Sequence, residues 1–121
     1  DGSIVFYSDK FWQNKVLAYC IQRSLNGMIV NGKKRTIHDP QQANFFILSY
    51  SNVPGVIVET AFISNTEERK LLTKEEFREE IAKAISNGVE RYLNEPGFVF
   101  APNELNKQND FSSKFYSPIL P

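Results

Sequence analysis

Residues 53–65 read VPGVIVETAFISN, and the run from Val56 to Thr60 decides how the chain is laid out. Val56, Ile57 and Val58 are β-branched, Pro54-Gly55 punctuates the approach, and Ser64-Asn65 follows closely, so the stretch predicts a short strand between loop residues. Glu59 stands at the end of that apolar run. A charged side chain at the end of a buried strand needs a partner, a metal or a task.

Working outward, two more strands are expected. Ser3–Tyr7, SIVFY, is rich in β-branched and aromatic residues, and Phe45–Leu48, FFIL, is a second short apolar run. Ser8 or Asp9 offers an oxygen to a helix start, and Leu17, Cys20, Ile21, Ser24, Leu25 and Met28 continue the period, so a helix is predicted from Asp9 to about Asn26 with Gly27 as its stop. Asn31-Gly32 followed by Lys33, Lys34 and Arg35 reads as an exposed turn with a basic rim. Ser64-Asn65-Thr66 starts another helix, with Glu67 and Glu68 at the positive end of its dipole. Thr73 and Glu76 have capping-box spacing before the most regular helical pattern. There Phe77, Ile81, Ala84, Ile85, Gly88 and Tyr92 form one face while Arg78, Glu79, Lys83 and Glu90 take the other, the pattern of a helix packed on a sheet. Pro96-Gly97 ends it. The tail beyond carries Phe98, Phe100, Phe111, Phe115 and Tyr116 among prolines and asparagines and is expected to wrap over the domain or a partner.

Strands alternating with helices give the fold class: α/β, a mostly parallel twisted sheet covered by helices. Two parts are expected, a domain over residues 1–95 and an irregular, aromatic-rich extension over 96–121. At 121 residues and 41% apolar, the chain can build a real core. Fourteen Lys and Arg balance fourteen Asp and Glu, so no basic field points to nucleic acid. No apolar run approaches the roughly 20 residues of a membrane span, and no leader-like segment opens the chain.

Candidate chemistry narrows to Glu59. In a parallel α/β sheet, loops at the carboxyl ends of strands converge on a shared crevice. A carboxylate there, partly shielded by Val56, Val58 and Phe62, can serve as general base and then acid; the alternative is that it bonds neighbouring amides or an arginine. His38 is the single imidazole and Cys20 the single cysteine. A zinc site needs about three protein ligands, so Thr36-Ile37-His38-Asp39-Pro40 reads as a surface loop, and Cys20 as buried filler within the first helix. Phosphate-binding and dinucleotide glycine patterns and nucleophile triads are missing from the sequence.

The residues Val58-Glu59-Thr60-Ala61-Phe62-Ile63-Ser64-Asn65, with the helical EEFREEIAKAISNGVERYL after them, resemble the C-terminal half of the zinc-dependent N-acetylmuramoyl-L-alanine amidases, a family of cell-wall hydrolases. SIVFYSDKFWQNKVLAYCIQRSL is similar to the strand and helix after that family's third zinc ligand, and ANFFILSYSNVP to its strand and loop before a glutamate, so the likeness runs from about Gly2 to Leu93. It implies cleavage of the amide between N-acetylmuramic acid and L-alanine of peptidoglycan, with Glu59 relaying the proton beside zinc. It also implies an extracytoplasmic location. The family's ligands, two histidines and a glutamate, lie upstream of the matching part, so zinc would be held by residues before Asp1. The resemblance thus casts the chain, which opens without Met, as the second half of a domain, inactive alone and partnered by its missing N-terminal half. The other reading is a non-catalytic amidase-like module that binds peptidoglycan or a protein. Two positions depart from the family pattern: Ala61 where glycine is common, and Ser49 where arginine is usual.

Overall fold

The computed structural model describes residues 1–94, and the expected tail over 96–121 lies outside them. In chain order the elements are β1 (Ile4–Tyr7), α1 (Trp12–Asn26), β2 (Ile29–Val30), β3 (Lys33–Lys34), β4 (Gln41–Gln42), α2 (Phe46–Ser49), β5 (Val56–Glu59), α3 (Thr66–Leu72) and α4 (Glu75–Asn94).

The α/β class holds, with a mixed sheet. β1 lies between β4, which runs parallel to it, and β5, which runs antiparallel, with Ile4 opposite Glu59 and Tyr7 opposite Val56. Val56, Ile57 and Val58 are half-buried rather than covered on both faces, because β5 is an edge strand among the described residues. The antiparallel pairing sets Glu59 beside the amino end of β1, so the rule of converging carboxyl ends does not place it.

FFIL is not a strand. Gln41–Gln42 take the place beside β1, the Ala43 amide donates to the Tyr7 carbonyl at 2.9 Å, and the chain then leaves the sheet to form α2. Phe45 packs edge-on against Phe6, their ring centroids 5.3 Å apart, and Leu48 is buried. A short apolar run has no periodicity long enough to separate strand from helical turn.

β4 is too short to pair all of β1, and a helix side chain completes the edge. Gln22, fully buried on α1, accepts from the Val5 amide and donates to the Ser3 carbonyl, both at 2.8 Å. It satisfies backbone groups that would otherwise be orphaned in the interior. Buried Asn14 similarly donates to the Ser8 carbonyl and accepts from the Gly55 amide at 2.8 Å, tying the start of α1 to the loop entering β5. Helix α1 begins at Trp12, three residues after the expected Asp9, since Ser8 Oγ is engaged with Asn14 and the Lys10 amide.

The expected face of α4 is the observed one: Phe77, Ile81, Ala84 and Gly88 are buried. Its main contact, however, is α1 rather than the sheet. Gly88 permits the close crossing, since a Cβ there would lie 2.6 Å from Ile21 Cα, and Ser24 Oγ donates to the Ala84 carbonyl at 2.6 Å. Val5, Tyr7, Ala18, Ile21, Leu25, Phe77, Ile81 and Ala84 form the continuous core. The capping box is replaced by a different arrangement, in which the Thr73 hydroxyl donates back to the Lys70 carbonyl at 2.6 Å and closes α3.

Candidate active site

Glu59 ends β5 with its side chain exposed and without a hydrogen-bond or ion-pair partner among the described residues. The shielding expected from Val56, Val58 and Phe62 is slight, as each is only half-buried at the sheet edge. A shallow cavity of about 490 Å³ adjoins the carboxylate, lined by Ile4, Ala61, Phe62, Ile63 and Ser64 besides Glu59 itself. A larger one of about 1010 Å³ lies between α1 and α4, lined by Cys20 and Lys83 among others, and does not include Glu59. Cys20 itself is buried.

Behind the exposed carboxylate lies a buried ion pair absent from the sequence reading. Arg35 is no part of an exposed basic rim: Asn31 and Gly32 take positive φ values of 51° and 75° in the β2–β3 turn, Lys33 and Lys34 face solvent, and Arg35 turns inward. Its Nη2 meets Glu68 Oε1 at 2.7 Å and its Nε meets Oε2 at 3.2 Å, a bidentate pair with side chains only 7% and 2% exposed. Nη2 also donates to the Thr60 carbonyl at 2.9 Å, and Nη1 to Ser3 Oγ at 2.9 Å. Ser3 Oγ in turn donates to the same Thr60 carbonyl at 2.7 Å. The guanidinium lies over the Phe77 ring, 5.2 Å from its centroid.

Glu68 further accepts from the Gly2 amide at 2.8 Å. Burial alone pushes this carboxyl upward, but the Arg35 hydrogen bond, the Gly2 amide, the Arg35 charge and the Phe62 amide outweigh it, holding Glu68 below the ordinary glutamate value. Glu68 owes its place to Asn65, which caps α3 by accepting from the Glu67 and Glu68 amides. The sequence did show that N-cap. It gave no local sign that the carboxylate three residues on would reach back to Arg35, because the partner is 33 residues away.

His38 Nε2 lies 2.7 Å from the Asp1 carbonyl oxygen, and its ring is tilted against Phe62 with centroids 5.6 Å apart. It stands near the loop after Glu59 but is engaged with backbone. Among the described residues, no group of three His, Cys, Asp or Glu side chains could hold a metal ion. The residues present therefore do not by themselves fit a zinc centre. Of the two departures, Ala61 is buried without a positive φ, so it is unstrained where glycine is common. The carbonyl of Ser49 accepts from Lys10 Nζ at 3.0 Å.

The model of the N-acetylmuramoyl-L-alanine amidase family matches residues 1–91. The chain belongs to that family. The germination-specific N-acetylmuramoyl-L-alanine amidase of Bacillus subtilis is 31% identical over 98 residues, 79% of this chain and 39% of that protein. The amidase AmiC of Neisseria meningitidis serogroup B is 49% identical over 53 residues, 44% of this chain and 13% of its own length. Among solved structures, the CwlD amidase from Clostridioides difficile, determined in complex with the GerS lipoprotein, superposes with a TM-score of 0.69 at 34% identity, covering 76% of this chain and 46% of that one. The chain thus spans less than half the length of each of these amidases. No helix among the described residues of this amidase chain is long and apolar enough to cross a membrane.

Proposed function

We propose that residues 1–95 are the C-terminal half of the catalytic domain of a cell-wall hydrolase that cleaves the amide between N-acetylmuramic acid and L-alanine of peptidoglycan, outside the cytoplasm. Glu59 is its general acid/base. Zinc is the family's cofactor, and its ligands belong to the half of the domain that precedes residue 1 in the resemblance.

One observation supports this reading most directly: Glu59 is held at the end of a strand, open to solvent over a shallow, partly apolar cavity, with no partner for its oxygens among the described residues. Such a carboxylate can accept the proton of a water attacking the lactyl carbonyl carbon and deliver it to the alanine nitrogen as the C–N bond breaks. The products are a muramic acid carboxylate and a free amino terminus on the peptide. The outer edge of β5 is unpaired among the described residues, which is where strands of the missing half can continue the sheet.

The test uses the complete protein, this chain joined to its N-terminal half. Stoichiometric zinc by elemental analysis and new alanine amino termini released from purified peptidoglycan are expected. A folded, metal-free protein that binds peptidoglycan without releasing any would overturn the hydrolase reading in favour of a binding module.

A further inference from the structure

We infer that Arg35 is a positioning residue for Glu59, acting through the peptide segment that follows it; this rests on the proton-relay reading of Glu59. Among the described residues Glu59 makes no hydrogen bond or ion pair of its own that fixes it, yet a general acid/base must stand within hydrogen-bond reach of its target. What fixes it has to act through the backbone. On its amino side β5 is paired with β1 over Tyr7↔Val56 to Ile4↔Glu59. On its carboxyl side the ladder stops, and the chain turns through Thr60, Ala61 and Phe62 before α3.

Arg35 grips that turn at its start. The Thr60 carbonyl, belonging to the residue next to Glu59, accepts from Arg35 Nη2 and from Ser3 Oγ, which Arg35 Nη1 orients in turn. The same guanidinium holds the Glu68 carboxylate in bidentate fashion. One planar guanidinium therefore links the start of the three-residue turn to Glu68 of α3 and to Ser3, just before β1, where Gly2 also binds Glu68. Gly2 itself has a φ of 102°, and a Cβ there would lie 2.5 Å from the Thr36 carbonyl oxygen, so the neighbouring backbone is packed tightly around this anchor. Arginine suits the role because its fork fixes several acceptors in one plane; a lysine ammonium supplies the charge without that geometry.

The test compares variants of the complete amidase, with rates normalised to zinc content. Arg35→Lys keeps the charge opposite Glu68 and tests geometry alone. The double variant Arg35→Met/Glu68→Leu removes both charges together and so avoids leaving one buried and unpaired. For each, kcat is expected to fall, on the order of 100-fold for the double variant as for a misplaced catalytic group, while KM stays within about twofold and zinc is retained. Folded, zinc-loaded variants with parental kcat would overturn the inference. Glu59→Gln, run alongside, separates the two ideas: if it is inactive while both Arg35 variants are fully active, positioning fails and the relay stands, and if Glu59→Gln is itself active, the relay reading fails. Should neither Arg35 variant fold, hydrogen exchange in the unaltered enzyme decides. The Gly2 amide, which donates to Glu68, is expected to be protected at neutral pH and to lose protection as acid protonates Glu68, and exchange at the rate of an open loop would overturn the proposal.

Discussion

Glu59 and Glu68 are nine residues apart in sequence and opposite in circumstance. The first ends a strand, exposed and without a side-chain partner among the described residues, beside a shallow cavity. The second is 2% exposed and bound by a guanidinium and the Gly2 amide. A carboxylate so buried and paired is not open to a substrate, and taking it out of water is tolerable only because its partners are in place. One carboxylate faces solvent, and the other is bound to the arginine that anchors the Thr60 carbonyl beside the first.

The largest expected difference is in rate. Glu59→Gln in the complete enzyme should lower turnover by roughly 10²- to 10⁴-fold, the range for loss of a general acid/base. Its thermal unfolding should hardly change, since surface substitutions usually fall within about 0.5 kcal/mol. Parental turnover in a peptidoglycan hydrolysis assay would remove Glu59 from the chemistry.

The buried carboxylate should respond the other way. Arg35→Met leaves Glu68 buried without its counter-charge and should cost about 3–5 kcal/mol in urea denaturation. A loss below about 1 kcal/mol would mean that water reaches the pair.

Acid should sharpen the contrast. Because the folded state holds Glu68 below its ordinary value, its contribution to stability is complete above the unfolded glutamate value of about 4.3 and is lost as pH falls through the lower folded value. The unfolding midpoint should therefore drop steeply below about pH 4. Arg35→Met/Glu68→Leu should flatten that limb.

The smallest effect belongs to the cap beneath Glu68. Asn65→Ala removes the acceptor for the Glu67 and Glu68 amides and should cost about 1 kcal/mol. Increased exchange at those amides, with the Arg35 pair intact, would separate the local cap from the long-range bond.

Local physics made much of this protein readable. β-branched residues marked β1 and β5, period and Gly27 bounded α1, Asn65 announced α3, and the apolar stripe from Phe77 to Gly88 named the buried face of α4. The family was legible as well, because Val58 to Asn65 combines carboxylate, aromatic and cap at fixed spacing. Interactions between distant residues were not legible. FFIL lost its place in the sheet to Gln41–Gln42, and β5 paired antiparallel with β1. Gln22 became part of a strand edge, and Arg35 left a basic run for a carboxylate 33 residues away. Each of these outcomes depends on which backbone groups and charges were left without partners once the core had closed. That condition exists only in the folded molecule. The sequence by itself determined β1, β5, the three longer helices and the candidate carboxylate, and the tertiary structure alone decided that this carboxylate is exposed and what anchors the segment after it.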